Sequence, residues 1–251
     1  LMPERLKPLF QKKAEVDFAF SIQNIGRFRV NAFRQRGCIG MAIRRVTYKE
    51  NDIAALGLPP IVRKLAEEPR GLVLVTGTAG SGKTTTLAAM VNHINETRKC
   101  HIVTIEDPIE VLHQDKLAII NQREIGIDTE SYAEALKHAV RQDPDVILIG
   151  EMRDDETVRA ALTAAEMGTL VLSTLHTIDA AETLNRIIDF FPPHQQRQIQ
   201  IMLAATLRGI ISLRLIPKIG GGRVPAVEVL VNTANVKELI NENKTFKLKE
   251  V

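Results

Sequence analysis

Apolar residues recur along this chain with two different periods, and the change of period divides it. Near the amino end the period is two. Phe18-Ala19-Phe20-Ser21-Ile22 alternates, Asn24 to Gly26 has turn composition, and Arg27-Phe28-Arg29-Val30-Asn31-Ala32-Phe33 alternates again. That pattern predicts strands with Phe28, Val30 and Ala32 on one face and Arg27, Arg29 and Asn31 on the other. A further strand, 40–46, carries Arg44 and Arg45 on opposite faces. From residue 56 onward, short apolar runs alternate with helical periodicity. Strands are predicted at 71–76, 101–105, 145–149 and 169–174. Helices are predicted at 84–96, 131–142, 155–167, 179–190 and 194–208. Within 131–142, Tyr132, Ala135, Leu136, Ala139 and Val140 fall on one helical face, and Asp143-Pro144 ends the run. The tail adds strands at 210–215 and 224–230 joined by Gly220-Gly221-Gly222, then a helix from about Asn235. Such alternation is the signature of an α/β fold with a parallel sheet covered by helices. The expected organisation is an amino-terminal domain at 1–46, a linker at 47–55 and an α/β domain at 56–251.

Between the first of these parallel strands and its helix lies Gly77-Thr78-Ala79-Gly80-Ser81-Gly82-Lys83-Thr84, a full match to G-x-x-x-x-G-K-[ST]. Glycines let such a loop wrap so that backbone N–H groups converge on a phosphate, and the new helix adds its positive end. Lys83 reaches the β/γ-phosphates, and the Thr84 hydroxyl can ligate Mg²⁺. The candidate nucleotide-binding residues are therefore Gly77, Thr78, Ala79, Gly80, Ser81, Gly82, Lys83, Thr84 and Thr85.

Ligands of open α/β sheets sit outside the carboxyl ends of the strands. At those ends the sequence places Glu106-Asp107-Pro108-Ile109-Glu110, Gly150-Glu151-Met152-Arg153-Asp154 and Ser173-Thr174-Leu175-His176. Glu151 is the candidate acid for the Mg²⁺ shell, directly or through water. Asp145 starts its strand and reads as a turn residue at the wrong end. Of the three carboxylates at 106–110, Glu110 is favoured as general base, because Pro108 turns the chain and can aim it inward. His176 follows a buried strand and can sense the γ-phosphate. The other histidines (His93, His101, His113, His138, His194) show no ligand spacing. Arginines that offset charge in phosphoryl transfer often come from a neighbouring subunit, and the first segment supplies Arg27, Arg29, Arg34, Arg36, Arg44 and Arg45, against the alternative of a solvated basic face.

Composition narrows the rest. The 251 residues are 45% hydrophobic and 25% charged, with net charge +3, ordinary for a globular protein. Neither that charge nor a 4% aromatic content offers the basic stacking platform of a nucleic-acid translocase. No apolar run approaches the ~18 residues of a membrane span, and Leu1-Met2-Pro3-Glu4-Arg5 has no leader character. Cys38 and Cys100 form no C-x-x-C pair, which argues against a zinc module or disulfide framework and fits a reducing cytosol. Both read as buried or half-buried small residues.

Val75-Thr76-Gly77 through Thr84, Thr104-Ile105-Glu106-Asp107-Pro108-Ile109-Glu110, Ile149-Gly150-Glu151-Met152-Arg153-Asp154 and Ser173-Thr174-Leu175-His176-Thr177 resemble, in order, the Walker A, Asp box, Walker B and His box of the type II/type IV pilus secretion ATPases. The resemblance extends to 27–33 and to Gly220-Gly221-Gly222-Arg223, so it spans nearly the whole chain. It implies a RecA-like P-loop NTPase core behind a partial PAS-like α+β amino-terminal domain, about half of which is missing here. It further implies ATP and Mg²⁺ as ligands, with ATP between the two domains of a homohexamer. The ring would be cytoplasmic and peripheral at the inner membrane, acting on an inner-membrane pilus platform protein and indirectly on pilin, with no nucleic acid involved. Glu110 takes the catalytic glutamate position, Glu151 the Walker B glutamate, His176 the His-box histidine, and Arg29 and Arg44 the arginine fingers. The absence of a four-cysteine module near the carboxyl end points to the retraction (twitching-motility) branch. Ala234-Asn235-Val236-Lys237-Glu238-Leu239-Ile240 and the tail 247–251 depart from that branch's main motor and leave open an accessory paralogue that binds nucleotide and assists it.

Overall fold

The computed structural model describes residues 2–22, 25–46 and 52–250. The chain divides into two compact units, Leu1–Lys49 with Pro108–Leu112 and Glu50–Asp107 with His113–Val251. Most of the expected linker, 47–51, and the Asn24 end of the expected turn lie outside the described residues.

In the first unit, helix α1 (Lys7–Lys13) precedes strands β1 (Glu15–Ile22), β2 (Gly26–Gln35) and β3 (Cys38–Val46), an antiparallel sheet in the order β1-β2-β3. Phe10 of α1 packs with Val16, Phe18, Val30 and Ala32 in a small core. Hydrophobic periodicity does not foretell α1, because Phe10 is its only buried residue. Arg36 (φ 48°) and Gly37 (φ 79°) make the β2–β3 connection. Two residues of positive φ in a row match the tight hairpin turn that fits strand twist. That turn fixes the register from Gln35↔Cys38 down to Arg29↔Arg44. Opposite Val30 and Ala32, strand β3 presents Ile43 and Met41, which with Ile39 are exposed by 50% or more. Cys38, expected to be at least half-buried, is exposed, since it opens this edge strand beside the turn.

In the second unit, α2 (Ile61–Ala66) leads into β4 (Gly71–Thr76), α3 (Lys83–Thr97), β5 (His101–Glu106), β6 (Ile119–Glu124), α4 (Tyr132–Ala139), β7 (Val146–Ile149), α5 (Asp155–Glu166), β8 (Leu170–Leu175), α6 (Ala180–Asp189), α7 (Pro193–Thr206), β9 (Leu207–Pro217), β10 (Arg223–Val231) and α8 (Ala234–Asn241). The sheet order is β10-β9-β4-β8-β7-β5-β6, parallel except for β10. Alternate residues of its strands enter two cores. Leu72, Leu74, Ile105, Ile147 and Val171 pack with α4 to α8, while Val73, Val75, Ile102, Leu148 and Leu172 pack with α2 and α3. A sheet covered on both faces reads as continuous apolar runs, which is why these strands were legible. Four helices start where a side chain caps the first turn: Ser131 accepts from the Glu134 N–H, Asp154 from Thr157, Asp179 from Glu182 and Thr233 from Val236. The edge strand β6, Ile-Ile-Asn-Gln-Arg-Glu, was not foreseen, because only Glu124 in it is buried.

Candidate functional site

Strands β4, β5, β7 and β8 run parallel, so their carboxyl ends share one edge of the sheet. The phosphate loop, Glu106, Asp107, Glu151, Arg153 and His176 stand on that edge. From β4 the chain enters the phosphate loop through Gly77 (φ 140°). A Cβ there would lie 2.4 Å from the Leu213 carbonyl oxygen and 2.5 Å from Ser81 Oγ, so both backbone angle and space require glycine. Gly80 (φ 76°) and Gly82 (φ 103°) meet no neighbour and are needed for their backbone angles alone. Gly82 is the N-cap of α3, and Lys83 its first residue. The first N–H groups of a helix have no carbonyl of their own helix to bond, so this turn offers donors outward. Ser81 Oγ is buried without a hydrogen-bond partner, while Thr78, Ala79, Gly80 and Thr84 are exposed and Thr85 is half-buried. Beneath the loop, the Thr76 hydroxyl donates to Ser212 Oγ of β9 at 3.0 Å.

Lys83 is buried, and its Nζ donates to the carbonyls of Gly77 at 2.8 Å and Thr78 at 3.1 Å. It also lies 3.4 Å from His176 Nδ1. His176 Nε2 is 3.3 Å from Glu151 Oε2, and Arg153 pairs with Glu151 Oε1. Lys83, His176, Glu151 and Arg153 thus form one continuous chain of contacts. Its members stand at the start of α3 and in the loops after β8 and β7. The bond to Glu151 raises the pKa of Arg153 above the ordinary guanidinium value. Tyr132, at the start of α4, has its phenol pushed up by burial and by the negative charges of Asp107 and Glu151. Neither Arg153 nor Tyr132 was given a role from sequence. Arg153 had a signal, two residues past Glu151 within the same motif.

The three carboxylates of the Asp box take different positions. Glu106 is buried, accepting from the Thr104 hydroxyl at 2.7 Å and from Gln122 Nε2 at 3.2 Å. Asp107 and Glu110 are exposed, and Glu110 belongs to the segment Pro108–Leu112 that groups with the first unit. Asp145 is at the amino end of β7, where its carboxylate accepts from the His101 N–H at 2.9 Å and lies 3.6 Å from Arg98. In the first unit Arg29 and Arg44 are directly opposite each other across β2 and β3, and both are exposed.

Among the described residues, no three His, Cys, Asp or Glu side chains cluster as a metal site. The exposed Thr84 hydroxyl and the Glu151 carboxylate, beside a cradle with an orphaned Ser81 hydroxyl, fit a Mg²⁺ held mainly by phosphates, which needs only one or two protein ligands. Among the described residues no helix is long and apolar enough to cross a membrane.

The family profile described as type II/IV secretion system protein matches residues 12–223. The type IV pilus retractation ATPase PilT of Pseudomonas aeruginosa is 47% identical over 248 residues, which cover 99% of this chain and 72% of that protein. The twitching motility protein of Neisseria gonorrhoeae is 48% identical over 252 residues, covering 100% of this chain and 67% of that one. A crystal structure of the pilus retraction motor PilT with bound ADP superposes with a TM-score of 0.96 at 50% identity, across 100% of this chain and 73% of that one. The α/β fold of this chain is shared with that structure.

Proposed function

This chain belongs to the type II/IV secretion system protein family, and on that premise we propose that it is an ATP-hydrolysing motor powering type IV pilus retraction. The observation that carries the reading is the contact chain from Lys83 through His176 to Glu151 on the edge that bears the phosphate loop. The two relatives above favour the motor over the accessory subunit.

In this reading the loop N–H groups and the start of α3 hold the β-phosphate, and Lys83 leaves the Gly77 and Thr78 carbonyls for the β/γ-phosphates. Thr84 and Glu151 would hold Mg²⁺, which would supply charge neutralisation on the phosphate oxygens. His176 keeps Glu151 oriented and is placed to register the γ-phosphate. Glu110 takes the proton of the attacking water. Arg29 and Arg44 act from a neighbouring copy in a homohexamer, where they offset charge that develops on the transferred group. The ring works in the cytoplasm at the inner-membrane face, against a pilus platform protein, and moves pilin indirectly.

Glu110→Gln tests the assignment of the base. ATP should still bind, with turnover falling about 10²–10⁴-fold. Turnover near the parent rate removes Glu110 from that role. ATPase rate measured against protein concentration, with the particle mass, tests the ring: the specific rate should rise as the hexamer forms.

A further inference from the structure

Both carboxylate oxygens of Glu151 are already engaged, Oε1 by Arg153 and Oε2 by His176. The Glu151 side chain is only 13% exposed. A carboxylate so placed is costly without a counter-charge. Its two partners differ in freedom. His176 is held from its other ring nitrogen beside Lys83 Nζ. Both side chains are exposed, His176 by 58% and Arg153 by 63%, so the difference lies in that second contact and in the place of Arg153, in the short loop between β7 and the Asp154 cap of α5. Arg153 can therefore turn away without moving any strand or helix.

We propose that Arg153 is a stand-in cation, which neutralises Glu151 while the site is empty and competes with the divalent metal for the same carboxylate. The inference rests on the reading of Glu151 as a metal-shell acid. It makes Arg153 a positioning residue: it neither holds phosphate nor reacts, but sets how much Mg²⁺ is needed before Glu151 changes partner. A hard dication wants a carboxylate oxygen, and here it must first displace a guanidinium. Mg²⁺ is then favoured only when phosphates share its coordination, so metal and nucleotide enter together and the bare protein does not load metal alone.

The test is ADP binding to the full chain, titrated with Mg²⁺ and repeated in EDTA. In Arg153→Ala and in Arg153→Gln, which keeps a donor but not the charge, the half-saturating Mg²⁺ concentration should fall about three- to tenfold, the range of one partly exposed charge pair. Arg153→Lys should stay near the parent, and ADP binding in EDTA should be the same in all. An unchanged or higher Mg²⁺ requirement in both Arg153→Ala and Arg153→Gln overturns the proposal. So does weaker ADP binding in EDTA, which would make Arg153 a phosphate ligand. Glu151→Gln separates the two ideas. A raised Mg²⁺ requirement there with none of the expected fall in the arginine variants sinks the stand-in role alone. An unchanged requirement in Glu151→Gln overturns the metal-shell reading of Glu151 and the inference with it.

Discussion

In the second unit, β4 has a parallel neighbour on each edge and a core on each face, and all of Gly71–Thr76 is buried. In the first unit, β3 has one neighbour and leaves Ile39, Met41 and Ile43 exposed. The same contrast holds for charge. The cation of the second unit, Lys83, is buried and bonded to two carbonyls. The candidate cations of the first, Arg29 and Arg44, face each other across an exposed rung, where like charges destabilise a sheet. One region is over-determined around a ligand site that needs fixed geometry. The other keeps an unfavourable like-charge pairing on its surface.

Lys83→Ala should break the contrast most severely. Nucleotide binding measured by calorimetry, and turnover with it, should be abolished. The fold should persist, because the lost bonds only steady the loop. Arg29→Ala comes next. Turnover of the assembled ring should fall by about 10³-fold or more, with ADP affinity of the dissociated chain unchanged. Unchanged ring turnover would place Arg29 on a merely solvated face. In thermal melts the same variant should be as stable as the parent or more stable by a few tenths of a kcal/mol, so function and stability move in opposite directions. A paired truncation sharpens the packing side. Leu74→Ala, fully buried in β4, should cost about 2–5 kcal/mol in denaturant unfolding. Met41→Ala, half exposed on β3, should stay within about 0.5 kcal/mol. Equal losses would mean that β3 is as tightly packed as β4.

Legibility in the sequence follows the same division. Gly71–Thr76 and the phosphate loop were plain because a buried parallel strand must be apolar throughout and the loop needs glycine where φ is positive. The helix expected at 131–142 ends its α-form at Ala139, and 140–142 close as a 3₁₀ turn before Asp143, itself at φ 53°. What escaped was held by contacts without a period: β6 at the sheet edge, α1 with its single anchor Phe10, and the Thr76–Ser212 hydroxyl bond between residues 136 positions apart. The placing of Lys83, Glu151 and His176 on one edge of the sheet was legible through strand ends. Their connection through His176 was not, since it depends on side-chain reach across β4, β8 and β7. The facing of Arg29 and Arg44 was readable in principle. Arg36-Gly37 between two alternating runs is a two-residue turn, and the ladder counts back from it.

That turn has a mechanical corollary. With no spare residue between β2 and β3, neither strand can slide past the other, so Arg29 cannot advance or retreat without Arg44. The two side chains leave the same face of the sheet at a fixed spacing. An anion that meets both is held by two charges, and salt should loosen that grip more steeply than it would a single charge.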